Sequence, residues 1–169
     1  MKLFALFFIS LFLGTSISAQ QFLTREGRLA FDASSPLEDI VAETKSATAV
    51  YDAASGEIGV QVLMTSFNFK RALMQEHFNE NYVESEKYPK ASFKGFYNDG
   101  LANGELTIHG VTKPVEVPAV LAEVADGLEF KASFKVNLSD YNVSIPKAVS
   151  DKVDPYATIT VNCRMKKRP

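Results

Sequence analysis

Leu106-Thr107-Ile108-His109-Gly110-Val111-Thr112-Lys113-Pro114 sets a half-buried strand, a glycine turn and a proline-containing second strand within nine residues. Leu106 and Ile108 alternate with Thr107 and His109, the period-two signature of a strand with one dry face. Gly110 then offers the positive φ that a tight hairpin requires. The stretch predicts a β protein of the pocket-forming kind, and the same pattern recurs on either side of it.

Its cleanest repetition is Glu129-Phe130-Lys131-Ala132-Ser133-Phe134-Lys135-Val136-Asn137-Leu138, where Phe130, Ala132, Phe134, Val136 and Leu138 share one face. One side of this sheet is buried and the other is wet. Similar alternation predicts strands over Arg28 to Ala33, Ala42 to Asp52, Glu57 to Thr65, Ala91 to Tyr97, Glu105 to His109, Val115 to Val124 and Tyr156 to Cys163. Turn residues separate them at Ala54-Ser55-Gly56, Asn98-Asp99-Gly100, Asn103-Gly104 and Asp126-Gly127, so most neighbours are expected to be antiparallel hairpins.

Between residues 70 and 81 the period changes, with Leu73, Met74, His77, Phe78 and Asn81 at helical spacing. A short amphipathic helix is predicted there, lying across one end of the sheet. Pro89 then biases Tyr88 toward extended geometry before the next strand.

The predicted fold class is mainly β: an eight-stranded antiparallel barrel with one short amphipathic helix at one end. Barrels of this size are filled by side chains or hold one small ligand. Both cases need the same apolar inward face, and the alternation is common to the two.

Residues 1–19 read as a secretory signal peptide, with Lys2, the apolar run Leu3 to Leu13, and small or polar residues up to Ala19. The apolar run is shorter than the ~20 residues that span a bilayer. Cleavage is expected after Ala19 or Ser18, leaving one domain over residues 20–169 in a periplasmic or secreted location. Lys2 leaves with the leader and no carboxylate does, so the formal charge moves from −2 to −3. That balance argues against nucleic acid as a partner. Arg164, Lys166, Lys167 and Arg168 form the one basic cluster, read as a solvated terminal tail, with transient contact to anionic membrane head groups as the alternative.

Cys163 is the only cysteine, which excludes an internal disulfide. It falls on the side of Ile159 and Val161, the place of a buried, inert thiol. Of 13 phenylalanines, Phe4, Phe7, Phe8 and Phe12 belong to the leader, and nine remain for a core or pocket.

The candidates for catalysis are sparse. His77 and His109 are the only histidines, without the paired spacing of a metal site. His109 reads as a strand-end residue hydrogen-bonded to the Gly110 turn, and His77 as a packed polar tip or a contact to a ligand head group. No serine occupies a Gly-x-Ser-x-Gly elbow. The pairs Glu84 with Glu86 and Asp151 with Asp154 read as solvated carboxylates. No catalytic residue, metal or cofactor is assigned, and the chain is read as a non-enzyme.

Three blocks together resemble the YceI-like family, periplasmic lipocalin-like β-barrels that carry polyisoprenoid lipids or quinones. They are Ser66-Phe67-Asn68-Phe69-Lys70-Arg71 running to His77-Phe78, then Ser85-Glu86-Lys87-Tyr88-Pro89-Lys90-Ala91-Ser92-Phe93-Lys94-Gly95, then the opening stretch continued through Val115-Glu116-Val117. Two segments depart from the family pattern. Thr24 to Phe31 lacks the histidine and serine common near the start. Asn137-Leu138-Ser139-Asp140-Tyr141-Asn142 stands where asparagine-arginine and then aspartate-phenylalanine-glycine are usual. The resemblance therefore implies a divergent branch with its own lipid.

What the resemblance implies is a lipid or isoprenoid-quinone ligand in a dry tubular cavity. Strand parity places Ile58, Val60, Val62, Phe93, Leu106, Ile108, Val115, Val117, Phe130 and Phe134 along it, with Phe67, Phe69, Leu73, Met74, His77 and Phe78 near one mouth. The alternatives are an extracytoplasmic stress-protection or interaction module with a filled core, and a hydrolase or isomerase using His77 or His109. An open interior favours the first reading, a solid one the second, and a histidine paired to a carboxylate inside a cleft the third.

Overall fold

Alternation of inward and outward side chains, mostly apolar against polar, recurs along the long strands of the computed structural model, which describes residues 20–168. The expected leader lies outside the described residues. The strands are β1 (Gln21–Ser34), β2 (Val41–Asp52), β3 (Glu57–Leu63), β4 (Asn68–Phe69), β5 (Lys90–Asn98), β6 (Leu101–Ile108), β7 (Val111–Val124), β8 (Gly127–Asn137) and β9 (Val153–Lys167). Setting aside the two-residue β4, eight strands pair in the order β1-β9-β8-β7-β6-β5-β3-β2, and β2 returns to β1. All the pairs are antiparallel. Closure leaves no free edge among the eight.

The two ends of the barrel differ. At one, the strands are joined by short turns at 53–56, 99–100 and 125–126. Asp99 and Gly100, both at positive φ, make the turn predicted from Asn98-Asp99-Gly100. At the other end lie the long connections 35–40, 64–89 and 138–152, together with the two-residue turn His109-Gly110.

The helix is shorter than the predicted span. α1 covers Ala72–His77 and widens into a π turn over Phe78–Tyr82. Lys70 and Arg71 are held out of it because Phe69 pairs with Ala42 as part of β4, leaving Arg71 extended at φ −120° and ψ 126°. α1 has no buried residue of its own, and Phe78 in the π turn anchors the segment.

Asn103-Gly104 is not a turn, contrary to the sequence expectation. It lies inside β6, where Gly104 faces Gly95 of β5. A Cβ on Gly95 would sit 2.1 Å from the Asn103 carbonyl oxygen, and one on Gly104 would sit 2.2 Å from that of Lys94. Glycine serves here to let two backbones approach inside the sheet, a role that looks the same as a turn in sequence. Gly95→Ala is accordingly expected to cost about 1–3 kcal/mol, because the clash is with backbone that cannot rotate away. Urea denaturation would show it as a lowered midpoint; an unchanged midpoint would mean that the two strands can part there freely.

The basic C-terminal cluster is also not a loose tail. β9 pairs with β8 as far as Lys166 and with β1 as far as Lys167, while Arg164 reaches Glu129 at 3.1 Å and Lys166 reaches Asp126 at 3.4 Å. Cys163 and Met165 face inward, so the strand period continues through the charges. Cys163 is fully buried, and burial pushes its thiol up to about 12, as befits an inert packing group.

Candidate functional site

The half of the barrel with the tight turns is filled. Phe22, Ile58, Phe130 and Met165 are buried there, and the Tyr97 and Phe130 rings meet edge to face at 6.3 Å. Toward the other end the inward positions change character. Ala33 and Ala157 are buried small residues that border space their neighbours do not fill.

The result is a cavity of about 440 Å³ beneath the long connections. Its walls are apolar side chains of β1, β3, β8 and β9, roofed by α1, the π turn and residues of the 138–152 segment. A smaller cavity of about 60 Å³ lies deeper, and Leu29, Val62 and Ala91 line both. The interior is therefore packed at one end and hollow at the other. The upper cavity falls within the ~300–1,000 Å³ range of small-molecule sites.

Four phenylalanines hold the roof to the barrel. Phe31 stacks on Phe78 at 5.1 Å with their planes 17° apart, and Phe67 and Phe69 close against both rings at 5.0–6.0 Å. The rings come from β1, the segment after β3, β4 and the π turn, so the cluster fastens the roof to the wall. Its edge-to-face and stacked contacts are the favoured ring geometries.

Of the residues expected to line the pocket, Val62, Phe67, Phe69, Leu73, Met74, His77, Phe78 and Ile108 border the upper cavity. Val60, Phe93, Val117, Phe130 and Phe134 border the lower one. Ile58, Leu106 and Val115 border neither. Ile58 is sealed in the filled half, while Leu106 and Val115 point inward but are covered by the side chains around them. Parity places a side chain inside the barrel but not at the height where the space lies.

Phe31, Ala33, Ala157 and Ile159 line the upper cavity as well, unexpected residues that the alternation of β1 and β9 turns inward. Glu38 of the β1–β2 connection, Arg71 just before α1 and Lys152 just before β9 also line the cavity, joining His77 at the end of α1, the one polar lining residue expected from the sequence. Arg71 and Glu38 form an ion pair that ties the connection to the start of the helix. No spacing in the chain joins these residues, which lie as much as 114 positions apart between Glu38 and Lys152.

His109 has a different role from the one expected. It takes positive φ, and its ring contacts the Tyr141 carbonyl oxygen at 3.2 Å through Nδ1 and the Glu84 carboxylate at 2.8 Å through Nε2. Both partners are hydrogen-bond acceptors, held on opposite sides of the ring. Tyr88 packs edge-on against it at 4.5 Å. Gly110 is needed beside it, since a Cβ there would meet the Tyr88 ring at 2.5 Å. The quoted hairpin thus pins together the segment after the π turn and the turn at Leu138–Tyr141. Glu84 is not a purely solvated carboxylate, as its pairing shows. The pair lies outside both cavities, so it does not supply the histidine and carboxylate in a cleft that the hydrolase reading demanded.

Among the described residues no group of three or more His, Cys, Asp or Glu side chains could hold a metal.

The YceI-like domain model matches residues 15–164. A UPF0312 protein of Photorhabdus laumondii is 31% identical over 103 residues, and the YceI protein of an Escherichia coli strain is 30% identical over 102. The chain spans about half the length of these curated relatives, 53% in each case. Among solved structures, a polyisoprenoid binding domain from Saccharophagus degradans, implicated in plant cell wall breakdown, superposes with a TM-score of 0.74 at 10% identity, over 89% of this chain and 99% of that one. BcnA of Burkholderia cenocepacia gives a TM-score of 0.70 at 17% identity, over 80% of this chain and 94% of that one. At these identities the likeness is one of fold.

Proposed function

The chain belongs to the YceI-like domain family, and we propose that it is a non-catalytic lipid carrier that shelters an apolar tail in the upper barrel cavity. The observation that carries this reading is the hollow itself, about 440 Å³ lined mostly by apolar side chains at one end of the barrel. Apolar surface removed from water contributes about 25 cal/mol per Å², so a tail needs no polar contact to bind there. A polyisoprenoid or isoprenoid quinone is the ligand class proposed, with the chain acting in a periplasm or outside the cell after loss of residues 1–19.

The side chains bordering the two cavities are proposed as the ligand-binding residues, with His77 at the head-group end. A tail too long for the upper cavity would extend toward the lower one, past the shared walls Leu29, Val62 and Ala91. Phe93 and Phe134 border that lower space and would have to turn aside.

The experiment is native mass spectrometry of the protein purified from its own host, followed by lipid extraction. A stoichiometric lipid with a long apolar chain is the expected result. Protein that emerges empty, and that takes up no lipid from vesicles, would overturn the reading.

A further inference from the structure

The charged side chains of the cavity lining lie on three segments at one end of the barrel: Glu38 before β2, Arg71 before α1 and Lys152 before β9. A tail that enters this cavity must leave its head group among them. Arg71 is paired with Glu38, which leaves that pair close to neutral. Among the described residues Lys152 has no ion-pair partner, so its ammonium is the uncompensated charge of the rim. His77 lines the same cavity and adds a third nitrogen-bearing side chain to Arg71 and Lys152.

Given the carrier reading above, on which this rests, we propose that the ligand is an amphiphile with an anionic head group, in preference to the neutral head of a quinone, held beside Lys152 and Arg71. The choice follows from the three possible signs of a head group. A cationic head would meet Lys152 and Arg71 with only Glu38 to offset them. A neutral head would leave the Lys152 ammonium as well solvated as before and gain little from it. An anionic head forms a charge-assisted hydrogen bond with Lys152 and can share the Arg71 fork with Glu38. Because the pair forms at a rim open to solvent, its contribution is that of a partly screened ion pair.

Carboxylate and phosphate heads present the same chemistry to a lysine, so the test separates them. The delipidated full chain would be titrated with palmitate, hexadecyl phosphate, hexadecanol and hexadecylamine, which share one tail. The expected result is that one or both anionic probes bind about two- to fivefold more tightly than the alcohol, with the amine weakest. That preference should shrink as salt is added. Lys152→Met should bring the ratio of anion to alcohol affinity close to one, and Lys152→Arg should keep it. The residue is exposed, so neither change threatens the fold. Equal affinities for acid and alcohol in the unaltered protein, or a ratio unmoved by Lys152→Met, would overturn the anionic assignment and leave the carrier reading standing. Failure of all four probes to bind would sink the carrier reading, and this assignment with it.

Discussion

Ala157→Phe is expected to weaken lipid capture by about thirtyfold or more while leaving the barrel folded. Ala157 is 2% exposed, lies on β9 opposite Val136, and borders the upper cavity. A phenyl ring at this position has open space in front of it, so it takes volume from the ligand and not from the neighbouring side chains. Excluding roughly 80 Å² of tail at about 25 cal/mol per Å² costs about 2 kcal/mol, or about thirtyfold in affinity. Filling a void is commonly neutral or stabilising by about 0.5–2 kcal/mol, so the melting temperature should hold or rise. Binding of a fluorescent long-chain lipid, read beside a thermal melt, separates the two effects. If Ala157→Phe melted normally and still bound the probe as the parent does, the cavity would not be the binding site.

Phe78→Ala is expected to cost about 3–5 kcal/mol, the usual range for deleting a buried phenylalanine. Phe78 is the buried residue of the π turn and touches Phe31, Phe67 and Phe69, so its loss opens the centre of the four-ring cluster. A domain of this size has about 5–15 kcal/mol in total, which makes this change a large fraction of the whole. A six-residue helix cannot stand without tertiary support. The roof should therefore loosen first, exposing the 70–82 segment to protease before the barrel unfolds. Phe78→Leu should retain most of the stability because it keeps an apolar contact to Phe31. A urea midpoint that moved by less than about 1 kcal/mol would show that the ring cluster does not fasten the roof.

The quoted hairpin shows how far local reading extends. Leu106, Thr107 and Ile108 alternate as predicted and His109-Gly110 makes the turn, because strand period and positive φ are properties of adjacent residues. His109 was legible as a strand-end residue beside the Gly110 turn and illegible as a fastener. Its partners, Glu84 and the Tyr141 carbonyl, arrive from segments 25 and 32 positions away. Gly104 illustrates the converse difficulty. Asn103-Gly104 has the composition of a turn, and only its pairing with Gly95 reveals that the glycine is there for close approach inside a sheet.

The lining shows the same division. Phe67, Phe69 and Phe78 were expected near one mouth, and they border the upper cavity. Ile58, Leu106 and Val115 were placed in the pocket by the same parity argument and do not reach it, since parity fixes the side of the strand and not the height of the void. The rim residues Glu38, Arg71 and Lys152 gave no local signal, being single charges in polar connections of ordinary composition.

By itself the chain determined eight alternating strands, their hairpin turns, an apolar inward face and a helical break before Tyr88, all of which follow from periods and turn chemistry a few residues long. Tertiary structure alone decided that the interior is solid at one end and hollow at the other. Empty volume is the difference between the space that the closed barrel encloses and the summed side chains that enter it at each level. That difference depends on pairings between distant strands, so no local window of the sequence contains it.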